Sequence, residues 1–304
     1  MAPEALKLNT GAMMPVLGLG TWKATPDTVG KAVGYALTEC GYRHIDCAPI
    51  YENEKEIGAA FAKIFNSGSV RREEVFVTSK LWDTEHARTD VRAACEATLR
   101  DLKLNYLDLY LMHWAIAEPK AGHTYDENGN LVTLQIPLSE TWEAMEGLVK
   151  EGLVKAIGVA NFTAPLLLDL VAYAKVTPAV NQIELHPYLQ QERLVEFSKR
   201  LGMAVTAYSP LARPGMGEAR LLEEEVVRHI ASVHNKTPAQ VLIRWAIQRQ
   251  TVVIPKSVSP KRIKENGAVF DFMLSEREMN EIGTLERGLR VVDPYVWGHI
   301  PYFD

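Results

Sequence analysis

The chain has 304 residues, 47% hydrophobic and 23% charged, with a formal net charge of −5. This is ordinary globular composition, and without long like-charge runs it gives no reason to expect nucleic acid as a partner. No apolar stretch approaches the roughly 18 residues of a membrane span, and the opening MAPEALKL lacks the basic and then apolar layout of a signal peptide. Cys40, Cys47 and Cys95 form no CxxC pair, and so odd and sparse a set suits reduced thiols in a cytoplasmic protein.

In chain order, a short hairpin is expected over 6–14, turning at Asn9-Thr10-Gly11. Short apolar runs then recur near 16–20, 43–47, 75–80, 107–113, 155–160, 179–184, 204–209 and 251–255, and each reads as a buried strand. Helical patterns lie between them. In 53–65, Ile57, Phe61 and Ile64 share one face, and in 90–102 Val91, Ala94, Leu99 and Leu102 do the same. Thr237-Pro238-Ala239-Gln240 and Ser275-Glu276-Arg277-Glu278 each spell a capping box, the first with Pro at the opening helical position.

Eight strands at intervals of about thirty residues, with helices between, predict a closed (β/α)8 TIM barrel with a short N-terminal hairpin. Nothing in the composition divides the chain, so 1–304 is expected to be a single domain. Segments 115–137 and 211–219 are too long and polar to be simple turns, and 286–304 reads as a C-terminal tail. Asp126-Glu127-Asn128-Gly129-Asn130 is a strong turn signal within the first of them. Long rim loops of this kind usually set substrate choice.

Several of the apolar runs end on a polar residue: Asp46, Lys80, His113, Gln182, Glu184 and Lys256. Such ends form one rim of a parallel barrel, where its chemistry resides. Asp46, Lys80 and His113 end consecutive strands, and Tyr51 opens the loop after the first of these, so the four can converge. A phenol of pKa near ~10 is a feeble acid at neutral pH, and a neighbouring ammonium lowers that value while a carboxylate keeps the ammonium charged. A drop of about three units requires roughly 4 kcal/mol of differential interaction. The expected device is a tuned proton donor for a carbonyl oxygen that gains negative charge.

These residues also carry a resemblance. GLGTW at 18–22, HIDCAPIYENEKEIG at 44–58, TSKLW at 78–82, LMHW at 111–114, NQIELHPY at 181–188 and IPKSVSPKRIKEN at 254–266 resemble the aldo-keto reductases, in order and over residues 6–285. The resemblance implies a monomeric (β/α)8 barrel that reduces aldehydes or ketones to alcohols with NADPH. Asp46, Tyr51, Lys80 and His113 fall on the catalytic tetrad, with Tyr51 as general acid. His113 would orient the carbonyl, and His rather than Glu there implies carbonyl reduction over steroid double-bond reduction. By the same resemblance Asn161 and Gln182 hold the carboxamide of the nicotinamide, and Tyr208 stacks beneath its ring. Ser209 and Leu211 follow the pyrophosphate, Lys256, Ser257 and Arg262 grip the 2′-phosphate, and Glu265 and Asn266 meet the adenine end. Two cations and a hydroxyl within seven residues also suit a phosphate dianion on physical grounds.

Two positions depart from the family pattern. Ala160 stands where Ser is usual, removing one hydrogen bond to the carboxamide, of order 1 kcal/mol. Ala115 stands where Pro is common and is expected to loosen the first long loop. Trp22, Trp82, Trp114 and Trp297 are expected to wall an apolar substrate pocket. Trp142 and Trp245, within helical patterns, are assigned to packing. His44 and His186 read as structural, and Glu184 as structural support.

Gly18-x-Gly20 fails as a dinucleotide fingerprint because Lys23 occupies the third glycine position. Three rival functions can be stated. In a Schiff-base aldolase Lys80 would be the nucleophile, but a nearby Asp46 keeps it protonated. A metal-dependent hydrolase would need a histidine ligand set that is not visible. The third is an NADPH-binding barrel with a structural or regulatory role and little turnover.

Overall fold

In the computed structural model, which describes residues 4–212 and 220–304, the chain opens with an antiparallel hairpin of β1 (Ala5–Lys7) and β2 (Met13–Pro15). Leu6 pairs with Met14, and Gly11 takes the left-handed φ of 87° that the turn requires. Of the expected rim segment 211–219, residues 213–219 lie outside the described residues.

Eight parallel strands follow in sequential order: β3 (Leu19–Gly20), β4 (His44–Asp46), β5 (Phe76–Leu81), β6 (Leu109–Met112), β7 (Ile157–Ala160), β8 (Val180–Glu184), β9 (Ala204–Tyr208) and β10 (Val252–Val253). The first and last meet, because Val253 N–H donates to Val16 O at 2.7 Å and Gly18 N–H to Val253 O at 2.8 Å. The expected strand positions are therefore occupied, and the sheet closes into the expected barrel. Its strands are buried on both faces, as Phe76–Leu81 shows without a break, and this explains why they read as continuous apolar runs.

The helices are α1 (Pro26–Glu39), α2 (Glu54–Ser67), α3 (Arg88–Leu102), α4 (Leu138–Lys150), α5 (Ala164–Tyr173), α6 (Glu192–Arg200), α7 (Glu225–Val233), α8 (Pro238–Gln248), α9 (Pro260–Gly267), α10 (Glu276–Gly283) and α11 (Pro294–Gly298). Both expected capping boxes form. Thr237 Oγ1 accepts from Gln240 N–H at 3.3 Å to open α8, and Ser275 Oγ accepts from Glu278 N–H at 3.3 Å to open α10. α9 packs on α1 and closes the outer ring, whereas α7 and α10 lie against each other as additions. Segment 115–137 holds only an isolated bridge between Tyr125 and Leu131, with Asp126 Oδ1 accepting from the N–H groups of Asn128 and Asn130 at 2.8 Å.

The barrel interior is layered. Leu8 and Met14 of the hairpin plug the N-terminal mouth against Phe76, Leu109, Leu111, Val180 and Val252. Above them the interior turns polar, first at His44, whose Nε2 meets Thr78 Oγ1 at 3.2 Å, then at Asp46, Lys80 and Gln182. Burial pushes His44 down to about 4, so its imidazole is neutral and structural, as expected. The same ring accounts for Gly18, where a Cβ would fall 2.6 Å from His44 Nδ1. At Gly20 a Cβ would fall 2.7 Å from Ile254 O. The GLG pair thus serves close packing at the seam where the barrel closes. No helix of the described residues is long and apolar enough to cross a membrane.

Candidate active site

Parallel pairing places Asp46 beside Thr78 and Lys80 beside Leu111, so the C-terminal ends of β4, β5 and β6 share one rim. Period-two alternation turns Lys80 inward, and its side chain is fully buried. Its Nζ donates to Asp46 Oδ1 at 2.7 Å, to Cys47 O at 2.9 Å and to Tyr51 Oη at 3.1 Å. Tyr51 ends a single 3₁₀ turn, Pro49–Tyr51, that brings the chain back over β4. His113 follows β6, with its N–H on Leu81 O at 3.1 Å and its ring 6.0 Å from that of Tyr51. The four side chains expected to converge do so.

Their electrostatics correct one expectation. Rather than falling, the Tyr51 pKa is pushed up to about 12, mainly by burial; Lys80 pulls it down and Asp46 pushes it up again. The physical reason is burial of the phenol, which outweighs the pull of Lys80, itself offset in part by Asp46. Burial also works against the charge on Lys80, but Asp46 and Tyr51 outweigh it and its pKa rises. Burial and then Lys80 drive His113 well below the usual imidazole range, so it is neutral. The buried His113 Nδ1 has no partner.

The residues expected to meet a nicotinamide are wired to this group. Gln182 Nε2 donates to Asp46 Oδ2 at 2.8 Å, Asn161 Nδ2 to His113 O at 2.9 Å, and Tyr208 Oη–H to Asn161 Oδ1 at 2.7 Å. Asn161 and Ser209 both hold left-handed backbones, with φ of 64° and 49°, uncommon for residues that carry a Cβ. Ala160, one residue before Asn161, is buried inside the barrel.

A cavity of about 530 Å³ opens over the rim, with Asp46, Tyr51 and His113 toward its floor. Asn161, Gln182, Tyr208, Ser209, Leu211 and Lys256 line one side, and Trp22, Trp82, Trp114 and Trp297 stand in its walls. Ser257, Arg262, Glu265 and Asn266 lie beyond it, on the β10–α9 connection and on α9. Lys256 and Arg262 make no ion pair among the described residues, whereas Glu265 lies 3.8 Å from Lys261. Lys256 and Arg262 are exposed, and Ser257 is buried with its Oγ accepting from Ser259 N–H at 3.2 Å; two cations and a hydroxyl are groups that suit a phosphate.

The sequence reading missed Lys23, Ile50, His123 and Val292, all on the cavity wall. His123 Nδ1 lies 2.9 Å from buried Glu118 Oε2, and its ring stands 5.1 Å from that of Trp297. His123 and Val292 end no strand, and the fold alone carries their loop and tail over the rim. Ala115 likewise differs from expectation. Its N–H, which a proline would lack, donates to Tyr302 Oη at 3.1 Å, so Ala at this position ties the first loop to the tail. Trp142 and Trp245 are buried in α4 and α8, as assigned.

The closed eight-stranded barrel thus carries Asp46, Tyr51, Lys80 and His113 together on its C-terminal rim. The profile of the Aldo/keto reductase family matches residues 16–287, and the chain belongs to that family. It is 49% identical over 299 residues to aldo-keto reductase family 1 member A1-A of Danio rerio, covering 96% of this chain and 92% of that protein. Against aldose reductase B of Dictyostelium discoideum the identity is 48% over 299 residues, covering 96% and 95%. The solved aldose reductase of Schistosoma japonicum superposes with a TM-score of 0.93 at 45% identity, covering 99% of this chain and 98% of that one. The protein is thus an oxidoreductase of the aldo-keto reductase type, a class that uses a nicotinamide cofactor on small carbonyl compounds.

Proposed function

We propose that this protein reduces aldehydes and ketones to alcohols with NADPH, and that Tyr51 is the general acid. The observation that carries this reading is Lys80 Nζ, held at once by Asp46 Oδ1 at 2.7 Å and by Tyr51 Oη at 3.1 Å. When bound, the cofactor supplies a hydride to the carbonyl carbon. This chain's residues handle the proton. Tyr51 stays protonated until the carbonyl oxygen becomes basic, and then donates. Lys80 stabilises the phenolate left behind, and Asp46, itself held by Gln182, keeps Lys80 charged. Neutral His113 stands beside Tyr51 as a hydrogen-bonding group for the carbonyl oxygen. A tyrosine with a raised pKa is a weaker acid at rest, and it suits a step in which proton donation follows the build-up of charge.

Asn161, Gln182 and Tyr208 would hold the nicotinamide, Ser209 and Leu211 the pyrophosphate, and Glu265 and Asn266 the adenine end. Lys256, Ser257 and Arg262 would grip the 2′-phosphate and so favour NADPH over NADH. The four cavity tryptophans would form the substrate wall. The Schiff-base alternative is opposed by the Asp46–Lys80 contact, which keeps the amine protonated. We further read 1–304 as one domain, supported by a continuous core from Val16 to Leu285, and the protein as a cytoplasmic monomer. The test is cofactor absorbance with a panel of aldehydes, sugars and ketones. Turnover supports the reading, whereas tight NADPH binding without consumption across the panel would instead favour a structural or regulatory barrel.

A further inference from the structure

Glu184 ends β8 and is fully buried, yet proton transfer makes no use of it. Its Oε1 accepts from Val291 N–H and its Oε2 from Val292 N–H, both at 2.8 Å, while His186 Nε2 lies 2.8 Å from Oε1. The loop after β8 adds further bonds to the same stretch of tail. Arg287 N–H and Leu289 N–H donate to Tyr188 O at 3.2 and 3.0 Å, and Arg290 reaches Gln191 Oε1 at 3.4 Å. Beyond this clasp the tail crosses the rim, with Val292 and Trp297 on the cavity wall. It is then held again on the far side. Leu131 N–H donates to Gly298 O at 3.1 Å and Ala115 N–H to Tyr302 Oη at 3.1 Å. Between its two anchors the tail has only the five residues of α11 as structure of its own. Its position over the cavity therefore depends on the anchors, and the two bonds to the Glu184 carboxylate, at 2.8 Å, are shorter than those to Tyr188 and Gln191 at 3.0–3.4 Å.

We infer that Glu184 is a positioning residue for the carbonyl substrate. By holding Val291 and Val292 it sets where Val292 and Trp297 stand, and so the width of the substrate end of the cavity, without itself touching substrate or cofactor. The inference rests on reading the cavity as the carbonyl pocket. Its consequence is selective: a bulky aromatic aldehyde that fills the wall depends on the clasp, and a short aliphatic aldehyde that reaches only Tyr51 and His113 does not.

The experiment compares wild type, Glu184→Gln, Glu184→Ala and Val291→Pro. The last removes one donor from the tail side and leaves β8 unchanged. Steady-state kinetics with 4-nitrobenzaldehyde and propanal, NADPH affinity by fluorescence, and the rate of trypsin cleavage after Arg287 and Arg290 are measured. Loss of both bonds in Glu184→Ala is expected to raise KM for 4-nitrobenzaldehyde about tenfold. Glu184→Gln, which keeps one acceptor, falls between, and Val291→Pro reproduces the rise. Propanal kinetics and NADPH affinity stay within about twofold of wild type, and cleavage is faster. If KM and cleavage are unchanged while wild type turns over, the inference is overturned. It is overturned equally if propanal turnover and NADPH affinity fall in step, since Glu184 would then act on the strand end that carries Gln182. Wild type reducing neither aldehyde overturns the carbonyl-pocket reading, and this inference with it.

Discussion

At Tyr51 one hydroxyl carries the proposed chemistry, and its neighbours decide how. Tyr51→Phe removes the transferable proton and leaves the ring against His113. The expected outcome is a loss of kcat of about 10³, within the usual range for a general acid, with NADPH affinity unchanged. Stopped-flow kinetics with fluorescence titration checks both, and retained turnover would refute the assignment. Arg262 carries a separate prediction. Because it makes no ion pair among the described residues, its replacement by Ala breaks no internal contact of that kind. We expect the NADPH dissociation constant to rise about tenfold, for a lost charge-assisted phosphate contact, and that for NADH to stay nearly constant. Equal weakening of both cofactors would remove Arg262 from the 2′-phosphate site. Asp46, Lys80 and His113 were legible as apolar runs ending on ionisable side chains. The direction of the Tyr51 pKa was not, because it depends on how closely Asp46 neutralises Lys80 and on how dry the floor is.

Elements with local signals are the ones that sequence reading places well. Thr237 and Ser275 form their capping boxes as spelled, because each uses only groups within four residues. Thr237→Ala should cost about 1 kcal/mol, read as a lower midpoint in chemical denaturation with kcat unchanged. A kinetic effect of the same size would mean that α8 communicates with the rim. The tail is the opposite case. Residues 286–304 carry little periodicity, and their order comes from Glu184, Leu131 and Ala115, all more than a hundred residues away in sequence. Trp297 acquires its place beside Trp114 only through those distant contacts.

Across the whole molecule, buried ionisable groups set the response to pH. Burial holds His44 and His86 down to about 4, against about 6.5 when unfolded. Each therefore adds stability that is complete above pH 6.5 and lost as pH falls toward 4. Glu54 is the reverse. Burial pushes its carboxyl up to about 7 despite hydrogen bonds from Ser79 and Thr98, so its contribution is complete below its unfolded value of about 4.5 and lost as pH rises through 7. The opposing slopes overlap between about pH 4.5 and 6.5 and flatten the wild-type curve. Glu54→Gln removes one of them, and the variant should gain about 3 kcal/mol relative to wild type between pH 4.5 and 7. Denaturant unfolding at several pH values checks this, and parallel curves would show that Glu54 does not titrate in that window. By itself, the sequence determined the barrel and its eight strand positions, because apolar runs are encoded in short stretches of chain, and its motifs carried the resemblance to the family. Only the tertiary structure decided what lies over the rim: the packing role of Gly18 and Gly20, His123 on its Glu118, the Ala115–Tyr302 tie and the Glu184 clasp. Each is a contact between segments far apart in sequence, and its energy exists only after the barrel has closed.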